Sequence, residues 1–417
     1  MTDASTLELP VFEPVDTALY GDHFHEVMSE LAAQSWLART STGYYLTLDR
    51  DAGEFFLRTK SATFPGQMIA EMFGIGPGPL REEIDNNILH IDGERHQRLR
   101  NVLNPFFTPR AAERWRATMR QIIGDIAADV ISAGRCEFVE AVAVRYPAQV
   151  IAAVMGAPVG DAPKLHEWSH WMQSQFDGPA LLNDRDRIEA AVVEFYEWCD
   201  ALIARRRTAT PDDDLISLLL AAQNRPTEDG PAQLSDVDLR NLVLDVIAGG
   251  VDTTHAQLAH ALRLFAEHPD QWKLLADRPD LAGNAVEEVL RHEPVTPFGA
   301  RILTADVTYR DIVFPAGSVF LISAVTGNRD GIEPADFDIT AERTNARLLT
   351  FGAGVHFCVG HNLARAELEE ALTFLAPRMS NLRLDGEPLF GTVQGIYDLK
   401  ALPLAWDVPG HSATAAG

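Results

Sequence analysis

Apolar side chains recur every three or four positions through most of the chain, and this spacing predicts amphipathic helices. The clearest helical stretches are residues 111–134, 187–207 and 234–268. In the longest of them Ser235 is followed three residues later by Asp238, which imitates a capping box and marks a helix start. Strand-like runs are few and short, at residues 43–49, 307–323 and 399–408. The pattern therefore predicts a mainly α fold with a small β region.

Some segments show neither periodicity and are predicted to be loops or irregular chain. These are residues 205–214, 224–233 and 334–347. The first ten residues and residues 410–417 are predicted to be frayed tails. Because the loops are too short to separate domains, we expect residues 1–417 to form a single domain, although the length alone would suggest two or three.

The charge of the chain excludes several classes of partner. Hydrophobic residues make up 46% of the 417 positions, which is enough for a sizeable core. The 60 Asp and Glu residues outnumber the 35 Lys and Arg residues and give a formal net charge of -25. Such a surface repels nucleic acid and anionic lipid and favours solubility. We therefore expect no nucleic-acid partner.

No segment predicts export or a membrane anchor. The N-terminus lacks a basic start followed by an apolar run, and no later segment has the ~20 apolar residues that a membrane span needs. The three cysteines, Cys136, Cys199 and Cys358, are far apart and contain no C-x-x-C pair, which argues against a disulfide framework or a cysteine zinc site. These features predict a cytoplasmic protein.

Cys358 lies between a glycine-rich turn and a helical pattern over residues 359–375. Gly354 and Gly360 allow the backbone to turn tightly and approach another group closely. A helix N-terminus stabilises a thiolate, so we expect the pKa of Cys358 to lie below the free value of about 8.5. Such a thiolate could be a nucleophile with His356 as base, a redox centre or an iron ligand. A free cysteine is more often a buried small hydrophobic residue, and spacing alone does not decide between these readings.

The whole motif resembles a known loop. "FGAGVHFCVG" is similar to the heme-binding loop F-x-x-G-x-x-x-C-x-G of the cytochrome P450 family, with Phe351, Gly354, Cys358 and Gly360 in place. Other landmarks of the family follow in the right order along nearly the whole chain. The resemblance implies a cytochrome P450 fold with a b-type heme between the long central helix and the cysteine loop. Cys358 would be the axial thiolate and Phe351 would shield its sulfur.

Charged residues elsewhere match further landmarks of the family. Glu288 and Arg291 form an E-x-x-R pair of a kind that usually lies on a solvated helix face. By resemblance they join Arg343 in a buried structural network. The resemblance also implies four contacts to the heme propionates, made by His96, Arg100, Arg301 and His356. Arg98 is expected to face solvent.

The long helix contains "AGGVDTT", in which two consecutive glycines cost helix stability, roughly 1 kcal/mol each relative to Ala. The simple interpretation is a packing notch. By resemblance, Ala248, Gly249 and Gly250 instead leave room for heme and dioxygen. Thr253 would hold the bound oxygen and a water, and Asp252 would relay protons from solvent.

Four segments are expected to contact the substrate by analogy with the family. They are residues 66–76, 171–182, 295–298 and 395–398. The apolar candidates that would line a chamber are Met68, Met72, Phe73, Ile75, Val295, Phe298 and Ile396, and core packing is the alternative for each. Asp245 shares a helical face with Ala248 and Asp252. It either pairs with a polar group of the substrate or forms a salt bridge to a neighbouring helix.

The resemblance implies a monomeric heme-thiolate monooxygenase that inserts one atom of dioxygen into a small to medium apolar molecule, such as a secondary metabolite, terpenoid or steroid-like compound. Electrons would come from NAD(P)H through a ferredoxin and its reductase, which dock near Cys358, where Arg100, Arg347 and Arg365 offer positive charge. The alternatives are a peroxide-driven or a coupling or isomerising enzyme on the same fold, and a non-catalytic heme sensor.

Overall fold

The computed structural model describes residues 2–224, 234–332, 336–341, 343 and 347–408. Helices dominate this part of the chain, as predicted. In chain order, α1 to α17 are Gly21–Gln34, Arg50–Arg58, Gly66–Met72, Pro79–Asn86, Gly93–Leu103, Pro109–Glu113, Arg116–Ile131, Arg145–Met155, Ala162–Gln173, Gly178–Asn183, Arg185–Thr208, Leu215–Gln223, Asp236–Glu267, Pro269–Asp277, Ala282–His292, Ala324–Gly327 and His361–Leu375.

The strands are short and form small sheets at the edge of the helical body. In chain order, β1 to β14 are Thr2–Asp3, Val11–Phe12, Leu37–Thr40, Tyr45–Thr47, Ala62–Thr63, Arg135–Glu137, Phe298–Leu303, Val307–Tyr309, Ile312–Phe314, Val319–Ser323, Ser380–Leu384, Leu389–Phe390, Leu399–Ala401 and Pro403–Asp407. The largest sheet has the order β2-β3-β4-β10-β7-β5. Its antiparallel pair β7 and β10 places Arg301 opposite Phe320.

Helix α13 is the central element, and its sequence explains where it begins. The Ser235 hydroxyl accepts the Asp238 N–H, and the Asp238 carboxylate accepts the Ser235 N–H, so the predicted capping box is confirmed. Most of the helix is buried, because it packs against α8 and α9 and against α15 and α17. The cysteine loop joins this core through α17, which also packs on α7.

The prediction of a frayed N-terminus is wrong. Thr2 and Asp3 pair in parallel with Ile312 and Val313 of β9, and Ala4 is fully buried. The strand was too short to give a periodic signal, and its partner lies about three hundred residues away. Residues 410–417 lie outside the described residues.

Two other boundaries differ from the prediction. The stretch 111–134 is divided between α6 and α7, which are separated by Arg114 and Trp115. Helix α11 continues to Thr208, so the first part of the predicted loop 205–214 is helical. All but one residue of 224–233 lie outside the described residues. In the stretch 334–347, residues 334, 335, 342 and 344–346 lie outside them, and the described remainder forms neither helix nor strand, as predicted.

Cys136, Cys199 and Cys358 are all free. Within the described ranges, no helix has the length and apolar character required to span a bilayer.

Candidate active site

Two 3-10 turns, Leu349–Phe351 and Gly354–His356, shape the loop that carries Cys358. The Cys358 N–H donates to the Phe351 carbonyl at 3.0 Å and closes the loop. Gly354 has a φ of +74°, and a Cβ there would lie 2.7 Å from the Leu57 carbonyl oxygen. Position 354 therefore requires glycine, and the loop delivers Cys358 to the start of α17 in one fixed conformation.

The predicted lowering of the Cys358 pKa is wrong for the protein without a metal. Burial raises the pKa of the thiol, while the N–H groups of Gly360 and His361 and the charge of Arg100 oppose that shift. Loss of water around the sulfur thus outweighs the helix terminus and the nearby cation. A coordinated metal ion reverses this balance, because a coordinating thiol is deprotonated.

Arg365 is engaged beside the loop. Its guanidinium lies 4.5 Å from the centre of the half-buried Phe351 ring and forms an ion pair with Glu287. Arg100 donates to the Phe357 carbonyl at 2.9 Å, whereas Arg347 is exposed. Of the three arginines expected to form a docking patch, Arg365 already has its charge compensated.

Basic side chains cluster beside the cysteine loop with few acidic partners. Arg301 is 5% exposed, its guanidinium donates to the Ala300 carbonyl at 2.7 Å, and the charge of Asp92 acts on it without forming a direct ion pair. Burial lowers the pKa of Arg301 to about 10. The ring of His96 lies 4.4 Å from that of His356, and its buried Nε2 has no hydrogen-bond partner. Burial, then the charges of His356 and Arg100, lower the pKa of His96 to about 4.

This cluster fits a bound dicarboxylate. Buried cations without counterions are costly, and an anion between them would restore the ordinary pKa of each. Arg100 has its pKa lowered by burial in the same way. His356 differs from the other three residues because its Nε2 contacts Asp92 at 2.9 Å.

The glycines of α13 have two different surroundings. A Cβ on Gly249 would meet nothing within 4 Å, and Gly249 is exposed in the middle of a buried helix. A Cβ on Gly250 would lie 2.7 Å from Ile151 of α8. Gly249 therefore borders open space, whereas the neighbouring Ala248 is buried. Gly250 is a packing notch, which corrects the expectation that it leaves room for a ligand.

Thr253 lies one turn beyond the open space. Its hydroxyl donates to the Gly249 carbonyl at 2.6 Å. The preceding carbonyl, of Ala248, accepts hydrogen bonds from two side chains of α9, Ser169 at 3.1 Å and Gln173 at 2.7 Å. Sequence reasoning missed Ser169 and Gln173, because nothing in their local pattern indicates a contact with α13.

Asp252 is 3% exposed and surrounded by histidines. The His255 Nδ1 lies 3.3 Å from Asp252 Oδ1, without the alignment of a hydrogen bond, and the His170 Nδ1 lies 4.0 Å away. Burial acts to raise the pKa of Asp252, but His255 and then His170 and His166 hold it below the usual value. These histidines were also not anticipated.

Of the two alternatives for Asp245, the salt bridge to a neighbouring helix is absent from the described residues. The Asp245 Oδ2 accepts the Ile88 N–H at 3.1 Å, and its buried Oδ1 has no hydrogen-bond partner. Burial, followed by the charge of Glu83, raises its pKa well above the ordinary value.

The four expected substrate segments meet in pairs. A Cβ on Gly178 would lie 3.7 Å from the Phe73 ring and 4.0 Å from Gln394. The Tyr397 N–H donates to the Val295 carbonyl at 2.8 Å. These contacts bring segment 66–76 to segment 171–182, and segment 295–298 to segment 395–398.

The apolar candidates within these segments differ in exposure. Met68, Phe73 and Ile396 are half-buried, whereas Ile75 and Val295 are buried. Phe298 packs against the rings of Phe12 and Phe24, which is core packing. Met72 is 57% exposed, which places it at the protein surface and outside an enclosed chamber.

The E-x-x-R pair on α15 is buried, unlike most pairs of its spacing. Arg291 donates twice to the Glu288 carboxylate, at 2.7 and 2.8 Å, and Arg343 reaches the same carboxylate at 2.9 and 3.1 Å. The Arg291 and Arg343 hydrogen bonds together outweigh burial and lower the pKa of Glu288 to about 2. The Arg98 side chain is 40% exposed, in agreement with the expectation that it faces solvent, and its guanidinium also contacts the Asp238 carboxylate at 3.2 Å.

Another residue that the sequence analysis missed is His90. Its ring stacks on Phe64 at 4.9 Å, and its buried Nε2 has no hydrogen-bond partner. A Cβ on Gly66 would lie 2.7 Å from this ring, which explains the glycine at the start of α3. The only available signal was the "HIDGERH" segment, in which His90 precedes His96.

Comparison with known proteins gives one consistent result. A family model described as cytochrome P450 matches residues 79–277 and 271–378. The chain is 32% identical over 410 residues to luteothin monooxygenase of Streptomyces thioluteus, with 97% of each chain covered. It is 33% identical over 321 residues to the mycinamicin IV hydroxylase/epoxidase of Micromonospora griseorubida, covering 74% of this chain and 78% of that protein.

The solved structures give the same answer at the level of the fold. The crystal structure of CalO2 superposes with a TM-score of 0.88 at 28% identity, covering 96% of this chain and 100% of the other. The family match spans well over half of the chain, and the cysteine loop, the buried E-x-x-R pair and the open face of α13 occur together. The chain therefore belongs to the cytochrome P450 family.

Proposed function

We propose that this cytochrome P450 holds a b-type heme through Cys358 and oxidises an apolar secondary metabolite. As a member of the family it is a heme-thiolate monooxygenase that takes electrons from redox partners. The observation that carries the residue assignment is the glycine-shaped loop around Cys358, which lies beside the buried Arg301 and beside His96, whose buried Nε2 has no hydrogen-bond partner. When bound, the heme supplies dioxygen activation, which places one oxygen atom in the substrate and releases the other as water.

The protein's part in binding is to hold the cofactor at two points. Cys358 would supply the thiolate, with Phe351 beside the sulfur and Gly360 at the start of the following helix. His96, Arg100 and Arg301 would neutralise the two propionates with charge-assisted hydrogen bonds. His356, through its contact with Asp92, would complete this side of the pocket.

Proton delivery would depend on α13. Gly249 borders the open space, so a small molecule can lie against the helix backbone there, next to the buried Ala248. After releasing its hydrogen bond to the Gly249 carbonyl, the Thr253 hydroxyl would accept a hydrogen bond from a water and donate its own proton to the reacting oxygen. Asp252, kept ionised by its histidine neighbours, would resupply that proton from solvent.

The substrate assignment rests on the relatives and on the four converging segments. The relatives include an oxygenase named for nocardicin C and a cyclomarin C epoxidase. Met68, Phe73 and Ile396 would form apolar walls. Asp245, whose buried Oδ1 has no hydrogen-bond partner, would bond to one polar group of the substrate. If so, Asp245→Asn should weaken substrate binding in a spectral titration by about tenfold, and an unchanged dissociation constant would contradict this role.

The electron donor is proposed to be a ferredoxin served by an NAD(P)H-dependent reductase. The exposed Arg347 and the half-buried Arg100 would present positive charge near the cysteine loop. The free cysteines and the absence of a membrane-spanning helix within the described ranges are compatible with a reducing cytoplasm.

The test is spectroscopic and then catalytic. The purified, heme-loaded protein, reduced and treated with carbon monoxide, should show the long-wavelength Soret band of a thiolate ligand, and Cys358→His should abolish that band. Substrate oxidation should require NADPH, reductase, ferredoxin and dioxygen. Equal product formation with hydrogen peroxide alone would favour the peroxide-driven alternative, and a missing thiolate band in the fully loaded protein would overturn the assignment.

A further inference from the structure

Four side chains of residue types that bind metal ions lie at the interface between α9 and α13. Helix α9 contributes His166 and His170, four residues apart and therefore on one face. Helix α13 contributes Asp252 and His255, three residues apart. The two helices pack against each other, so the two pairs face one another across their interface.

The ligand atoms are close together and lack hydrogen-bond partners. One atom each from His166, Asp252 and His255 lie within 4.8 Å of one another. The His166 Nε2, Asp252 Oδ1 and His255 Nδ1 atoms are buried and make no hydrogen bond. Such atoms are costly to bury, so their joint presence points to a ligand that would satisfy all three.

The geometry suits a small tetrahedral cation. In a zinc site with bonds of 2.0–2.2 Å the ligand atoms are about 3.3 Å apart. The Asp252 Oδ1 and His255 Nδ1 atoms are already separated by 3.3 Å. The His166 ring lies 5.4 Å from the His255 ring and 6.5 Å from the His170 ring, so modest side-chain rotations bring the remaining nitrogens to the same centre.

We propose that His166, Asp252 and His255 form a binding site for Zn²⁺ or a similar transition-metal cation, with His170 as a fourth ligand from the solvent side. Two imidazoles and one carboxylate are typical zinc ligands, whereas Mg²⁺ and Ca²⁺ prefer oxygen alone. The His170 side chain is 36% exposed, which gives the cation a route from solvent.

Metal binding would change the chemistry at α13. A cation on Asp252 would hold its carboxylate and prevent it from carrying protons towards Thr253. Zinc would then reduce substrate oxidation reversibly. This consequence rests on the proposed function, whereas the metal site rests on the geometry of the four side chains alone.

The binding test uses the full-length, heme-loaded protein without reductant or substrate. Calorimetric titration with Zn²⁺ should show one tight site, and Mg²⁺ should show none. His166→Asn and His255→Asn should each weaken zinc binding by at least about tenfold, and His170→Asn, at a partly exposed position, should weaken it less. The surface variant His23→Ala should bind zinc as the wild type does.

A second metal ion and a control for folding complete the binding test. Co²⁺ bound at this site should give the visible absorption of a tetrahedral N/O complex, which His255→Asn removes and His23→Ala retains. Helical circular dichroism shows that each variant is folded, and His170→Asn tests the site even if a buried histidine proves essential for folding. Zinc binding that is absent from the wild type, or unchanged in all three ligand variants, overturns the proposal.

Turnover provides a separate result. Zinc at the measured dissociation constant should halve oxidation by the wild type and leave His170→Asn less affected. Zinc that binds the four side chains without changing turnover would overturn the proposed role of Asp252 in proton delivery, while the metal site would stand.

Discussion

Burial shifts the pKa values of several single residues in this protein, and Glu83 is a clear case. It is fully buried on α4, and burial raises its pKa to about 7 despite a hydrogen bond from Asn87 at 2.6 Å. Its charge also raises the pKa of Asp245. Ionising either carboxyl therefore opposes ionising the other.

Glu83 makes the stability of the fold depend on pH. Because its folded pKa is raised above the unfolded value of 4.5, its neutral form stabilises the protein at low pH. This contribution is lost as the pH rises from about 4.5 through 7, by roughly 3 kcal/mol. Glu83→Gln should flatten the free energy of unfolding across that window in denaturant titrations. An unchanged pH profile would contradict the raised pKa.

Thr253 can be tested separately from its neighbour in the same helix. Thr253→Ala should reduce product formed per pair of electrons consumed by at least about tenfold, because the hydroxyl no longer passes a proton to the reacting oxygen. The control is Thr254→Ala, which removes a buried hydroxyl next to it. Equal coupling in the two variants, measured as product against NADPH consumed, would exclude the role of Thr253.

At the scale of elements, the cysteine loop depends on backbone conformations that only glycine adopts easily. Gly352 and Gly354 both have positive φ, of +68° and +74°. They differ in their surroundings. A Cβ at 352 would have its nearest atom 4.0 Å away, whereas one at 354 would clash with the backbone of α2 at Leu57 and Arg58.

These two glycines form a matched pair for substitution. Gly352→Ala should cost about 1–3 kcal/mol of stability, since it adds only backbone strain. Gly354→Ala adds a backbone clash and should cost more, with weaker heme retention as a second sign. Thermal unfolding and the heme content of the purified variants measure both effects, and equal losses would show that the contact with α2 is unimportant.

The elements and motifs that could be predicted from the sequence are those that depend on residues close together in the chain. Ser235 and Asp238 identify the start of α13 from adjacent residues, and the glycines around Cys358 identify the loop. The contacts that it did not reveal join distant segments. His166 and Asp252 come from separate helices, and β1 pairs with a strand about three hundred residues away. No periodic pattern encodes such pairings, so only the folded chain shows them.

The same limit applies to Gly249 and Gly250. Both were predicted to make room for a ligand, because the sequence shows two missing side chains without showing their directions. One of them faces open space and the other faces Ile151. Helix packing, which the sequence does not state, assigns them to different roles.

For the whole molecule, the charge distribution bears on how a partner approaches. The net charge of -25 repels an acidic protein at long range. A docking face therefore needs local positive charge, and near the cysteine loop Arg365 is already paired with Glu287. The exposed Arg347 becomes the residue on which docking by a ferredoxin should depend most.

Reversing that charge tests the docking face. Arg347→Glu should slow reduction by ferredoxin about tenfold at low salt, and the difference from the wild type should shrink as salt screens the interaction. Arg383→Glu makes the same change of charge on the sheet formed by β6, β14 and β11. Stopped-flow reduction rates compare the two, and an equal effect would show that only net charge matters.

The two hydrogen bonds from Ser169 and Gln173 to the Ala248 carbonyl have a mechanical consequence. The last residues of helix α9 belong to segment 171–182, one of the regions where a substrate is expected to bind. Any displacement of α9 on substrate entry must stretch or release these bonds and so alter the backbone of α13 beside Gly249. Substrate binding and the shape of the open space beside Gly249 are then coupled through the hydrogen bonds of two side chains.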